Sequence, residues 1–154
     1  MKHINRYLVT GGICSIAVAI LHIAIIIGGA DWYRFLGAGE EMALMSESGS
    51  SSPALITSVI VIIFIIWGIY AFSGAGLIRK IPLLKIALVI IPFIYLLRGL
   101  GGILLVVFSK YVSVLEYGDS ESFMLISSLI CTVFGLLYTI GIVKAWSNLA
   151  LKIT

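Results

Sequence analysis

Four long apolar runs, separated by shorter polar segments, dominate the pattern of hydrophobic and polar positions along this 154-residue chain. They cover approximately residues 8–29, 54–78, 82–108 and 123–146. Each reaches the ~20 residues that an α-helix needs to cross the ~30 Å hydrocarbon core of a bilayer. Because short connections make neighbouring spans antiparallel, the pattern predicts an all-α fold, an integral membrane up-down-up-down four-helix bundle that forms a single domain.

The segment between the first two runs is too apolar for an ordinary loop. Residues 31–36 include three aromatic side chains, and aromatic residues favour the membrane–water boundary. We therefore expect a short interfacial helix there, and a second one over residues 40–46, which carry acidic residues in their first turn. The serine-rich residues 46–52 are predicted to form a flexible linker, and Pro53 to open the second span.

Charge alternates between the connections, and this predicts orientation. The acidic residues all follow the first or the third run: Asp31, Glu40, Glu41, Glu47, Glu116, Asp119 and Glu121. Most basic residues occupy the two ends and the middle connection: Lys2, Arg6, Arg79, Lys80, Lys85, Lys144 and Lys152. Arg34 and Lys110 are the two that fall in the acidic segments. The positive-inside rule then places both termini in the cytoplasm and the acidic segments outside. We expect a multi-pass protein of a bacterial inner membrane.

Composition supports a lipid environment rather than a nucleic-acid partner. The chain is 61% hydrophobic and 11% charged, with a mean hydropathy of +1.19, which is more apolar surface than a soluble domain of this size could bury. The small basic clusters adjoin the spans, so topology explains them without nucleic acid. The two cysteines, Cys14 and Cys131, lie at different depths, and no disulfide between them is expected.

Small and polar residues form a stripe along three of the spans. Their helical spacing puts each set on one face, where it would allow close helix packing inside the bundle or at a subunit contact. The stripes are Gly11, Ser15, His22 and Gly29; Thr57, Val61, Gly68 and Ala75; and Ser128, Cys131, Gly135 and Tyr138.

Arg98 is the charged residue that lies deep within an apolar run, far from both of its ends, in the sequence Tyr95-Leu-Leu-Arg98. A charge near the middle of the bilayer costs about 2.5–3.5 kcal/mol on insertion scales, and arginine cannot lose its proton to escape that cost. It therefore needs a counter-charge, hydrogen-bond acceptors, water or an anionic ligand. Among carboxylates, Glu40 and Glu41 are the first choice and Asp31 the second, since a long arginine side chain can extend towards the outer boundary.

His22 and Arg98 are predicted to share one layer, ~10–15 Å below the outer surface at 1.5 Å per residue. Ser128 enters from the fourth run slightly closer to that surface. We therefore expect a polar pocket that opens outward and is covered by residues 31–45.

Two interpretations of this pocket remain open. In the structural one, Arg98 pairs with Glu40 or Glu41 and His22 is a hydrogen-bonded core histidine. In the functional one, Arg98 and His22 bind an anionic or amphiphilic ligand, such as an anionic lipid or a small anion. The candidate ligand-binding or ion-pair residues are Arg98, His22, Glu40, Glu41, Asp31, Tyr95 and Ser128.

The sequence carries no typical metal, phosphate-binding or redox motif. No catalytic residue or metal site is therefore predicted, the cofactor is left unknown, and an enzyme that acts on lipid-soluble substrates ranks last. The leading hypothesis is a ligand-binding membrane protein that forms a homo-oligomer, because four short spans enclose little volume. The alternatives are a subunit of an oligomeric channel or transporter, and a structural or regulatory partner of a larger membrane complex.

Overall fold

The computed structural model describes residues 4–109 and 121–149. Within them lie six α-helices: α1 (Arg6–Gly28), α2 (Ala30–Phe35), α3 (Glu40–Glu47), α4 (Ser52–Ala75), α5 (Leu84–Ser109) and α6 (Glu121–Ala145). A short 3₁₀ helix, Trp146–Asn148, follows α6. Five residues of the charge argument lie outside the described ranges, namely Lys2, Lys110, Glu116, Asp119 and Lys152.

The four predicted apolar runs are confirmed as helices α1, α4, α5 and α6, each long and apolar enough to cross a membrane. Their ends differ slightly from the predicted bounds, for local reasons. Helix α1 begins earlier because the side chain of Asn5 accepts a hydrogen bond from the backbone N–H of Leu8 at 3.2 Å, as an N-cap does. Helix α4 ends at Ala75 because Gly76 takes a φ of +83°, which glycine adopts without steric cost.

Both short helices between the first two long ones are confirmed. Helix α2 starts immediately after Gly29, whose φ of +67° turns the chain sharply at the end of α1. Helix α3 extends through Glu47, and α4 begins at Ser52. The predicted linker is therefore shorter than expected, since only residues 48–51 separate the two helices.

The chain forms two compact units. One consists of Met1–Cys14 with Trp67–Thr154, and the other of Ser15–Ile66. In the first unit, α5 and α6 pack closely and antiparallel. A side chain at Gly99 would meet the backbone N of Thr132 at 2.7 Å, and one at Gly135 would meet Leu96 at 2.6 Å. Glycine at these positions lets the two helices approach each other.

An aromatic cluster and an asparagine provide further contacts between the helices of the first unit. The ring of Tyr95, which is buried, lies 4.9 Å from Trp67, 5.7 Å from Phe134 and 5.8 Å from Tyr138 between centroids. The side-chain N–H of Asn5 donates to the carbonyl of Gly141 at 2.6 Å. Asn5 therefore joins the start of α1 to the end of α6 while it caps its own helix.

The second unit is organised around Tyr33. This side chain is 2% exposed and packs with Ile25 of α1 and Ala43 of α3. Its hydroxyl lies 3.2 Å from the hydroxyl oxygen of Thr57 in α4. Because Thr57 donates its own proton to the carbonyl of Pro53 at 2.8 Å, Tyr33 is the donor to Thr57. One buried tyrosine thus fixes α2 against the long helices of its unit.

The predicted stripes lie largely on buried faces. Nine of their members are buried: Gly11, Ser15, Thr57, Val61, Gly68, Ala75, Ser128, Gly135 and Tyr138. His22, Gly29 and Cys131 are partly exposed. The small-residue pattern therefore marked faces that contact other parts of the protein.

Candidate functional site

Arg98 lies on α5, about 20 Å along the helix from Leu84 and about 16 Å before its last residue at 1.5 Å per residue. It is an exposed residue, unlike the buried Tyr95 one turn earlier and the buried Gly102 one turn later. The side chain of Arg98 is therefore partly open to the surroundings, although its neighbours one turn away contact α6.

The guanidinium is bound by neutral groups of α6. It donates from Nη1 to the hydroxyl of Ser128 at 2.9 Å, and from Nη2 to Ser127 at 3.3 Å and to the sulfur of Met124 at 3.4 Å. Both serines donate their own protons to the carbonyl of Met124. Their hydroxyl oxygens are therefore oriented to accept from the arginine.

The side chain of Arg98 extends towards the C-terminal end of α5. A Cβ atom at Gly102 would lie 2.6 Å from Nη1 of Arg98 and would also contact the hydroxyl of Ser128. The guanidinium thus occupies the space that Gly102 leaves open, one turn beyond its own Cα. Met124 is close to the first residue of α6, Glu121, so the charge lies nearer to the helix ends than Arg98 Cα does, as expected of a snorkelling arginine.

An open groove of about 220 Å³ adjoins the guanidinium. Its lining, which we call the Arg98 groove, consists of Leu97, Arg98, Gly101, Gly102, Leu105 and Met124. Among the described residues, one positive charge therefore borders a lining that is otherwise apolar or formed by glycine.

The predicted site residues separate between the two units. Arg98, Ser128 and Tyr95 belong to the first unit, where Ser128 contacts Arg98 directly and Tyr95 belongs to the aromatic cluster. The remaining candidates, His22, Asp31, Glu40 and Glu41, belong to the second unit. Each set has its own local partners.

The first-choice counter-charge of Arg98 has a different partner, because Glu40 pairs with Arg34. Arg34 donates from Nε at 2.9 Å and from Nη2 at 2.8 Å to the carboxylate of Glu40. It also donates from Nη1 to Glu47 at 2.6 Å, and Asp31 lies 3.7 Å from Nη1. We call these four residues the Arg34 cluster. Glu41, the other first choice, is exposed.

The Arg34 cluster perturbs its own carboxylates. Hydrogen bonds from Arg34 lower the pKa of Glu40 and of Glu47 below the ordinary value of 4.5. The same bonds raise the pKa of Arg34. From the sequence alone, Arg34 was predicted only to be an outward basic residue. Its pairing with Glu40 was missed because it depends on the glycine-containing turn after α2, which brings Glu40, six positions away, back to the guanidinium.

His22 has the environment of a structural histidine. Its Nδ1 lies 2.8 Å from the carbonyl of Val18, one turn earlier in α1. A carbonyl can only accept, so this bond requires the proton on Nδ1. The ring also stacks obliquely on Phe64 with 5.4 Å between centroids. These contacts correspond to the structural interpretation of this residue.

The helices define the class of the protein: it is all-α, and four of its helices could cross a membrane. No protein-family model matches the sequence, and comparisons with curated proteins and with solved structures find no match. The role of the chain must therefore be inferred from its own chemistry. The most distinctive chemistry is an exposed guanidinium, held by hydroxyls, beside an apolar groove.

Proposed function

We propose that this chain is an integral membrane protein, a four-span bundle with cytoplasmic termini, that binds an anionic amphiphile at Arg98. The negative group would pair with the guanidinium, and the apolar part would lie along the Arg98 groove. The observation that carries this proposal is the exposure of Arg98 together with the neutrality of its partners among the described residues.

The size of the electrostatic cost favours an external anion. Burial of the charge near mid-bilayer costs about 2.5–3.5 kcal/mol, whereas a polar contact inside a membrane protein contributes on average about 0.6 kcal/mol. The bonds to Ser127 and Ser128 would offset only part of that cost. Outward extension of the side chain reduces it further, and a phosphate or carboxylate on the guanidinium would supply the missing charge.

The donor geometry is compatible with such an anion. A guanidinium carries five N–H groups in a planar fork. In the described part of the chain, three hydrogen bonds involve Nη1 and Nη2 of Arg98. Donors thus remain for a ligand. The side chains of Leu97 and Leu105 flank the position where its apolar part would begin.

A second candidate is a subunit of a homo-oligomeric channel or transporter, or a partner of a larger membrane complex. The exposure of Arg98 favours it as well, because a face that is outward in one chain would be enclosed between subunits. The two candidates predict different occupants of the same groove, which are a lipid in the first case and a protein helix in the second.

Native mass spectrometry of the detergent-purified protein tests both candidates. We expect palmitoyl-oleoyl phosphatidylglycerol to bind more tightly than the matching phosphatidylcholine. Replacement of the charge, Arg98→Gln, should weaken phosphatidylglycerol binding about 10-fold or more, since hydrogen bonds to charged groups contribute about 1.5–3 kcal/mol. Arg98→Lys should retain part of the binding, because it keeps the charge but loses the planar fork.

Arg79→Gln is the matched control, because Arg79 is an exposed arginine outside the long helices. It should leave phosphatidylglycerol binding unchanged. Circular dichroism and the elution volume verify that each variant folds. Equal phosphatidylglycerol binding by wild type and Arg98→Gln would contradict the proposal. If Arg98→Gln loses a defined oligomer whether or not lipid is added, the second candidate is supported. Inorganic phosphate, tested in place of the lipid, shows whether the anionic group alone binds or the whole lipid is needed.

A further inference from the structure

Helix α2 presents two aromatic side chains on its outer surface. Phe35 is 81% exposed and Trp32 is 43% exposed, although Tyr33 between them is 2% exposed. Because buried Tyr33 fixes the rotation of the helix, the exposure of its neighbours is a property of the fold. At 100° per residue, Trp32 and Phe35 lie 60° apart and share one side.

The position of Trp32 relates this aromatic side to the end of α1. A Cβ atom at Gly28 would collide with the indole ring of Trp32, so the ring lies directly on the last residue of α1. Only Gly29 separates the two helices. If α1 crosses the bilayer, the aromatic side of α2 therefore lies at the level where that span leaves the hydrocarbon core.

The charged side of α2 faces elsewhere. Arg34 is displaced by 160° from Trp32 around the helix and is held by Glu40 and Glu47 of α3. We call α2 and α3 together the outer cap (residues 30–47). In α2, Trp32 and Phe35 share an apolar side from which Arg34 is turned away, whereas Asp31 lies 40° from Phe35, at the edge of that side, with its side chain 94% exposed. This arrangement is typical of a segment that lies in a membrane interface.

We propose that the outer cap is seated on the bilayer, with Phe35 and Trp32 inserted into the headgroup region of the same membrane that α1 crosses. This inference rests on the membrane insertion in the proposed function and is independent of ligand binding at Arg98. The occupant is lipid because α2 follows the end of a span without a spacer, and because tryptophan and other aromatic residues favour this boundary. Arg34 and its partners Glu40 and Glu47 lie away from Trp32, and the exposed carboxylate of Asp31 can stay in water beside Phe35.

Site-directed spin labelling tests this placement. In a background with Cys14→Ala and Cys131→Ala, single cysteines replace Phe35, Ile27 or Ser48. Ile27 is 82% exposed near the end of α1, and Ser48 is exposed beyond the end of α3. Power saturation with oxygen and with a nickel chelate, in phosphatidylcholine–phosphatidylglycerol vesicles, then reports whether each label contacts lipid or water.

We expect the Phe35→Cys label to resemble Ile27→Cys, with oxygen access exceeding nickel access, and the Ser48→Cys label to show the reverse. A Phe35→Cys label with the water-like profile of Ser48→Cys would overturn the inference while the proposed spans remain. Low access to both reagents would indicate a protein contact and would also overturn it. A water-like profile at Ile27→Cys would instead reject membrane insertion of α1, and with it the proposed function.

Discussion

Arg34 and Arg98 show how differently two guanidinium groups can be accommodated in one chain. Arg34 is surrounded by three carboxylates on short exposed helices, where water also screens the charges. Arg98 lies on a long apolar helix and is held by two hydroxyls and a thioether among the described residues. Only the second arrangement leaves a charge for which an external anion would be a strong partner.

The fit of Arg98 against α6 depends on the missing side chain at Gly102. We expect Gly102→Ala to lower the free energy of unfolding in detergent by about 1–3 kcal/mol, the usual cost of overpacking. The added Cβ would lie 2.6 Å from Nη1 of Arg98. The same variant should weaken binding of phosphatidylglycerol, because the displaced guanidinium loses its geometry.

Gly101→Ala is the matched control, since a Cβ at Gly101 meets nothing within 4 Å. It should leave the free energy of unfolding unchanged or raise it by up to about 1 kcal/mol, because alanine is more favourable than glycine inside a helix. Titration with sodium dodecyl sulfate, followed by circular dichroism, measures both variants. Equal effects of the two substitutions would mean that the Arg98–Ser128 contact does not depend on the space at Gly102.

For single residues, the sequence predicted well which side chains need a partner. It predicted less well which residues those partners are. Arg98 was identified because a charge in an apolar run is costly wherever its partner comes from. Its bonds to Ser127 and Ser128 depend on the register of α5 against α6, which no local pattern encodes. The pairing of Glu40 with Arg34 was not predicted, because it depends on the conformation of the turn between α2 and α3.

The two helices of the outer cap are held by one buried contact and one exposed contact. Tyr33 packs with Ile25 and Ala43 and donates a hydrogen bond to Thr57. The Arg34 cluster joins α2 to α3 at the surface. Because Arg34 lowers the pKa of two carboxyl groups in the cluster, the exposed contact makes the cap sensitive to pH.

We expect acid to loosen the contact between α2 and α3. Arg34 lowers the pKa of Glu40 and Glu47 below 4.5, so the ionised carboxylates stabilise the contact between α2 and α3. This stabilisation is fully present above pH ~4.5 and is lost as the pH falls through the lowered pKa values. Hydrogen exchange of the α3 amides, corrected for the intrinsic rate, should accelerate severalfold across that range in the wild type.

Arg34→Gln should show fast exchange in α3 already at neutral pH, with little further change on acidification. Glu41→Gln is the control, because Glu41 is an exposed acid of the same helix outside the cluster. It should keep the wild-type profile. If the corrected exchange rate of α3 in the wild type stays constant down to pH 3, the cluster contributes nothing to the stability of the contact between α2 and α3.

Helices were the elements that the sequence predicted most completely, and their limits followed local chemistry. The long runs exceed the length of a bilayer crossing, so no tertiary information was needed to identify α1, α4, α5 and α6. The aromatic and acidic segments similarly predicted α2 and α3. The linker was overestimated because serine content alone did not reveal that α3 extends to Glu47 and that α4 starts at Ser52.

For the whole molecule, charge distribution determines the orientation that we propose. Seven basic residues occur at the ends and in the middle connection, against two, Arg34 and Lys110, in the acidic segments. Arg34 is moreover paired with carboxylates. The bias is therefore distributed over three separate segments, and no single basic residue should decide it.

Cysteine accessibility in spheroplasts tests that orientation directly. In the background without Cys14 and Cys131, Ser50→Cys reports the connection after α3, and Leu77→Cys, 48% exposed in the native chain, reports the one after α4. A membrane-impermeant maleimide should label Ser50→Cys in intact spheroplasts and Leu77→Cys only after permeabilisation, because the first connection is acidic and the second basic. Permeabilised samples of both variants control for reactivity. Labelling of both positions in intact spheroplasts would indicate mixed orientation, and the reverse pattern would place the Arg34 cluster and the termini on the sides opposite to those proposed.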